Sequence, residues 1–124
     1  MKNNLPNLAL AILRIGASAM LLTHGIPKIQ MLFADTISFA DPLGIGDTTS
    51  LTLAVFGEVI APIFILVGFR TKLAAIPAMI TMLVAGLIYH SNDPFETKEK
   101  AFLFALIFLV IFLAGPGKYS IDKR

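Results

Sequence analysis

Long apolar runs dominate this sequence, and two of them carry a charged residue near their middle. Arg14 interrupts the run LALAIL-R-IGASAMLL, and Glu58 interrupts LTLAVFG-E-VIAPIFILVGF. Such runs predict membrane-spanning helices. A charge at the centre of a membrane helix costs about 2.5–3.5 kcal/mol on insertion scales. Each of the two charges therefore needs a partner or a function.

The composition supports a membrane protein. Of the 124 residues, 56% are hydrophobic and 15% are charged, and the mean hydropathy is +0.82, whereas soluble domains carry about 25% charged residues. The net charge of +2 is too small, and its carriers too scattered, for a nucleic-acid interface. Because the chain has no cysteine, thiol redox chemistry, iron–sulfur clusters and zinc–thiolate sites within it are excluded. A redox role would need a bound cofactor, a quinone or a partner's thiols.

Four apolar segments predict an all-α fold, a bundle of four antiparallel membrane-spanning helices in which residues 1–124 form one domain. We expect Gly25 and Pro27 to end the first helix, and Asp93-Pro94 to begin the fourth. The connection of residues 26–50 is too long for a simple turn and too apolar for a disordered linker. It predicts a short interfacial helix or a lid between helices 1 and 2. The expected helices are residues 5–24, 51–69, 73–90 and 94–114.

Basic residues flanking the helices predict their orientation in the membrane. Six of them lie on the side of the termini and three on the other side, which favours cytoplasmic termini. The six are Lys2, Arg70, Lys72, Lys118, Lys123 and Arg124, and the three are Lys28, Lys98 and Lys100.

This topology predicts a polar pocket near the outer face. His24 and His90 end the first and third helices there, and Lys28 follows His24. At the helical rise, Arg14 lies about 15 Å below that face and Glu58 about 10 Å below it. We expect a buried Arg14–Glu58 ion pair beneath the two histidines and the lysine. The alternative is a purely structural pair that fixes helix register.

Short motifs follow one another along nearly the whole chain, and together they resemble the DoxX family of small four-helix membrane proteins. The resemblance implies a bacterial or archaeal inner-membrane protein linked to quinone redox chemistry. The family takes its name from a subunit of an archaeal thiosulfate:quinone oxidoreductase, and other members are described in membrane complexes with a superoxide dismutase and a sulfurtransferase. The motifs are Arg14-x-Gly16, His24-Gly25-x-x-Lys28, Phe56-Gly57-Glu58, Gly68-x-Arg70-Thr71, His90 and Gly115-Pro116-Gly117-x-x-Ser120-x-Asp122.

We therefore expect a quinone-associated component of a membrane redox system. Glu58, His24 and His90 would form a catalytic proton relay. Arg14 and Lys28 would bind an anionic form of the headgroup or an acidic substrate. A haem held by His24 and His90 is a second cofactor hypothesis, although neither histidine lies in a haem-specific motif. No metal site is predicted.

Non-catalytic roles are the competing hypothesis. The pocket could bind or transport a small anion, or the bundle could anchor a soluble redox partner in the lipid bilayer. A homo-oligomer or a redox complex would enlarge the small surface of the connections. The sequence is compatible with a subunit of a quinone-linked oxidoreductase and with a protein that is not an enzyme. Ser120 and Asp122 are expected only to cap or tether the tail.

Overall fold

All regular structure in the described residues is helical, as predicted. The computed structural model describes residues 4–34, 36, 41, 44–89 and 92–123. Helix α1 is Asn4–Leu32, and helix α2 is Asp47–Val67, interrupted by a π-helical turn at Phe56–Ile60. Helix α3 is Thr71–Val84 and continues as a π-helical turn at Ala85–Tyr89. Helix α4 is Phe95–Ala114.

Consecutive helices run antiparallel and define two ends of the bundle. The tail end contains the start of α1, the turn between α2 and α3, and residues 115–123, where the Lys118 amide donates to the Asn7 side chain. The loop end contains the end of α1, the start of α2, the end of α3 and the start of α4. There, the side chain of Phe102 packs over Gly86.

Small residues let the four helices approach closely, as membrane helices require. Large apolar side chains such as Leu5, Leu73 and Leu113 cover the outer surface and are exposed, as expected for lipid contact. The main core combines alanines with a few large side chains: Ala17, Leu21, Ala61, Ile65, Ala74, Ala75, Ala78, Met82, Phe104, Ala105, Phe108 and Ile111.

Among the described residues, three helices are long and apolar enough to cross a membrane by length and composition: Asn4–Leu32, Asp47–Val67 and Thr71–Ile88. Helix α4 has 20 residues, which reach about 30 Å, the thickness of the hydrocarbon core. Its first two turns carry four charges, at Glu96, Lys98, Glu99 and Lys100. That α4 crosses the membrane stays a prediction.

Helix α1 does not end at residue 24, and this prediction was wrong. The helix continues through Gly25 and Pro27 to Leu32, because an internal proline removes one backbone donor without preventing a membrane helix. Gly25 serves close packing, since a Cβ atom there would overlap the Glu58 carbonyl group. Residues 26–32 of the predicted interfacial segment therefore belong to α1. Residues 35, 37–40 and 42–43 of that segment lie outside the described residues.

Candidate functional site

An ion pair joins Lys28, in the last two turns of α1, to Glu58, near the middle of α2. The Lys28 ammonium group donates to both carboxylate oxygens of Glu58, at 2.7 and 2.9 Å. The Glu58 side chain is 5% exposed, whereas that of Lys28 is 24% exposed. A carboxylate buried this deeply requires such a partner. The Lys28 side chain is therefore only partly enclosed by the protein.

The local backbone of α2 holds Glu58 between two neighbouring helices. Glu58 is the central residue of the π-helical turn Phe56–Ile60, a feature that is frequent at functional sites. Gly57 lies directly against Thr81 of α3, and Gly25 of α1 lies against the Glu58 backbone. Side chains at the two glycines would push the helices apart. Gly25 therefore allows α1 to approach closely enough for Lys28 to reach the carboxylate, and Gly57 allows α2 to pack against α3.

An apolar cluster lies on the same side of the bundle as the ion pair. Its buried members are Leu51, Val55 and Val59, and they pack against Leu22, Ile29, Met31 and Leu32. An ammonium donor and a carboxylate acceptor beside apolar walls suit a neutral, partly apolar ligand with polar oxygens.

His24 lies one helical turn before Lys28. Its side chain is exposed, and its ring meets the Phe104 ring edge-on, with 6.1 Å between the ring centroids. The imidazole is within electrostatic range of Glu58 and Lys28. His90, the other predicted histidine, lies outside the described residues. Its part in the site stays a prediction.

Arg14 does not pair with Glu58, and this prediction was wrong. The guanidinium donates to the carbonyl oxygens of Ile65 and Leu66 at 2.9 and 2.6 Å, and to that of Tyr119 at 2.6 Å. The last carbonyl groups of a helix lack partners within it, and Arg14 supplies donors to those of α2. Glu58 lies seven residues before Ile65, about 10 Å along the axis.

The error in depth has a simple source. Helix α1 ends at residue 32 and α2 begins at residue 47, so both are longer at the loop end than expected. Arg14 is 18 residues from the end of α1, and Glu58 is 11 residues from the start of α2. At the helical rise these lengths are about 27 and 17 Å. Arg14 and Glu58 were expected at overlapping depths, but their depths differ by about 10 Å.

Arg14 instead belongs to a structural cluster at the tail end. The Asp122 carboxylate accepts hydrogen bonds from the Arg70 amide at 3.0 Å and from the Thr71 amide and hydroxyl, both at 2.9 Å. The amide of Asp122 donates to the Gly68 carbonyl group at 2.8 Å. Ser120 packs against Gly68, which leaves no room for a side chain there. The expectation that Ser120 and Asp122 tether the tail is confirmed.

The sequence profile of the DoxX family matches residues 9–91 of this chain. The chain belongs to the DoxX family. The DoxX match includes Arg14, Lys28 and Glu58, and it ends before α4. The chain is also similar to the inner membrane protein YqjF of Escherichia coli K12, with 28% identity over 123 residues, 96% of this chain and 93% of YqjF. No solved structure matches the chain significantly.

Proposed function

We propose that this DoxX protein is a quinone-associated component of a membrane redox system, and that Lys28 and Glu58 hold the quinone headgroup. The observation that carries the proposal is the pair itself, a buried carboxylate joined to a partly open ammonium group. Lys28 would donate a hydrogen bond to a quinone carbonyl oxygen. Glu58 would take up or release the proton that accompanies a change of redox state.

The surroundings of the pair support a quinone over a small anion. The two charges cancel, so a free anion would have to displace the Glu58 carboxylate from Lys28 against the attraction between them. A neutral headgroup can share the lysine donor without that cost. The apolar cluster of α1 and α2 supplies a surface for the isoprenoid chain.

His24 would exchange protons with Glu58. Imidazole exchanges protons near neutral pH, and His24 lies one helical turn from Lys28. We assign it this role, with His90 as a second candidate for the same role. A haem ligated by both histidines remains the alternative, and a Soret band in the purified protein would reveal it.

The chain would act as a component and not as a complete enzyme. Reduction of a quinone to a quinol takes two electrons and two protons, and this chain has no cysteine to carry electrons. The protein would bind the headgroup and move protons. A soluble redox partner, docked to the membrane bundle, would supply the electrons.

We place the protein in the inner membrane with both termini in the cytoplasm and with α4 as the fourth span. The family membership and the similarity to YqjF, an inner membrane protein, support the inner membrane. Four basic residues at the tail end support the orientation: Arg70, Lys72, Lys118 and Lys123. The Lys28–Glu58 pair would then lie in the outer half of the bilayer.

Quinone affinity of defined variants tests the proposal. The purified protein in lipid nanodiscs is titrated with decylubiquinone by calorimetry. Loss of a hydrogen bond to a charged group costs about 1.5–3 kcal/mol, so Lys28→Met should weaken binding about 10- to 150-fold. Lys28→Arg should retain much of the affinity, and Lys98→Gln, with the same charge change outside the site, should retain all of it. Equal affinity in Lys28→Met and the unaltered protein would exclude this site.

A further inference from the structure

The tail end contains a second polar recess, separate from the Lys28–Glu58 pair. It is a cleft of about 320 Å³ lined by Arg70, Thr71, Lys72, Leu73, Pro116 and Asp122. It lies where α3 begins and the chain leaves α4. Its walls come from the same segments that Arg14 and Asp122 hold together, so its shape is set by hydrogen bonds.

Two cations flank this cleft, and the acidic residue beside them is already engaged. The side chains of Arg70 and Lys72 are exposed. Asp122 turns its two oxygens toward the amides of Arg70 and Thr71 and the Thr71 hydroxyl. These donors satisfy much of its hydrogen-bonding capacity and shield its charge. The two basic side chains remain as the groups available to a ligand.

Both basic side chains lie beside neighbouring residues at the cleft. The Arg70 guanidinium is 5.6 Å from the centre of the Phe69 ring. The Lys72 chain passes close to Gly115, where a Cβ atom would be 3.4 Å from its Cε atom. Leu73, at the same cleft, is 64% exposed. The cleft thus combines two positive charges with an adjoining apolar surface.

The charged residues of the two ends also favour an anion at the tail end. Lys118 and Lys123 add positive charge near the cleft. In the described part of the loop end, five acidic residues outnumber three basic ones: Asp41, Asp47, Asp93, Glu96 and Glu99, against Lys28, Lys98 and Lys100.

We propose that this cleft binds the headgroup of an anionic phospholipid. Arg70 would form paired hydrogen bonds with the phosphate oxygens, the geometry that a guanidinium favours. Lys72 would add a second charge from the α3 side, and an acyl chain would lie along Leu73. A lipid held in this way would bridge the start of α3 and the tail that Asp122 ties to it.

Lipid retention measured by native mass spectrometry tests the proposal. The full chain is released from nanodiscs of phosphatidylglycerol or of phosphatidylcholine, and the lipids retained per chain are counted. Basic residues near a membrane surface contribute about 1 kcal/mol each, so loss of both should reduce phosphatidylglycerol retention about 30-fold. The variant is Arg70→Asn with Lys72→Gln, because asparagine tolerates the left-handed backbone at position 70, where φ is 53°.

The matched control removes two positive charges from the loop end, by Lys98→Gln with Lys100→Gln. This control should retain phosphatidylglycerol within twofold of the unaltered protein, and phosphatidylcholine should not be retained specifically. Equal losses in both double variants, or equal retention of the two lipids, would overturn the proposal. Saturable binding of inorganic phosphate to the protein in phosphatidylcholine nanodiscs would also overturn it, since the cleft would then bind a soluble anion. Circular dichroism of each variant excludes misfolding as the cause of a loss.

Discussion

Replacing Arg14 by methionine should release the tail and destabilise the bundle. Arg14 is 1% exposed and donates three hydrogen bonds to carbonyl groups of α2 and of Tyr119. Methionine preserves much of the apolar chain and removes all three donors. Hydrogen bonds to charged groups contribute about 1.5–3 kcal/mol each. Water can reach the two partly buried carbonyl groups, so we expect a total loss of about 3–5 kcal/mol.

One assay measures the loss of stability in Arg14→Met, and a second measures the release of the tail. Equilibrium unfolding in mixed micelles gives the free energy of unfolding, which should fall by the stated amount in Arg14→Met and by less in Arg14→Lys, since lysine keeps the charge and some donors. Limited trypsin digestion reports the tail, because Lys118 and Lys123 should be cleaved much faster in Arg14→Met. A change below about 1 kcal/mol, with the tail still protected, would refute the structural role assigned to Arg14.

Three further predictions address packing, pairing and capping. Gly25→Ala should destabilise the protein by about 1–3 kcal/mol, because its Cβ atom would meet the Glu58 backbone; Gly16→Ala, with open space around it, should not, and thermal unfolding in detergent compares the two. A double-mutant cycle should give a coupling of about 0.5–3 kcal/mol between Lys28 and Glu58 and almost none between Arg14 and Glu58; the reverse pattern would contradict the structure. The hydrogen bonds from the Ser50 hydroxyl and the Gly46 amide hold the pKa of the Asp41 carboxyl below its ordinary value of 3.8. Ionised Asp41 therefore stabilises the fold above that pH, and the stabilisation disappears as the pH falls through the lowered pKa. Asp41→Asn should lower the melting temperature at pH 7 and have no effect in stronger acid; an equal effect at both pH values would argue against this cap.

The apolar runs were sufficient to predict the helices and their order. Their lengths and the breaks at Gly68 and Gly115 locate the tail-end boundaries within a few residues. The end of α1 and the start of α2 were less accurate. At the end of α1, Gly25 and Pro27 are also compatible with a continuous membrane helix. Gly25 is explained by its close contact with the Glu58 backbone. A contact between two helices leaves no signal in the sequence near the residue.

The residues of the predicted site were informative, but their pairing was not predictable. Depth was counted from helix ends, so an error of two turns at one end assigned Glu58 the wrong partner. Lys28 was assigned to the ligand and not to Glu58, because it was expected just past the end of the first helix, at the mouth of the pocket. A signal was present, since the motifs that contain Lys28 and Glu58 each place a glycine within three residues of the charge. Gly25 marks the contact between α1 and the Glu58 backbone, and Gly57 marks the contact between α2 and α3.

Photoaffinity labelling tests the central proposal most directly. A quinone carrying a photoreactive group on its headgroup is irradiated with the protein in nanodiscs, and labelled peptides are identified by mass spectrometry. The account predicts labels near Lys28 in α1 and near Glu58 in α2, with labelling abolished by excess decylubiquinone and strongly reduced in Lys28→Met. Competable labels confined to the tail end, or labelling unchanged by Lys28→Met, would contradict it.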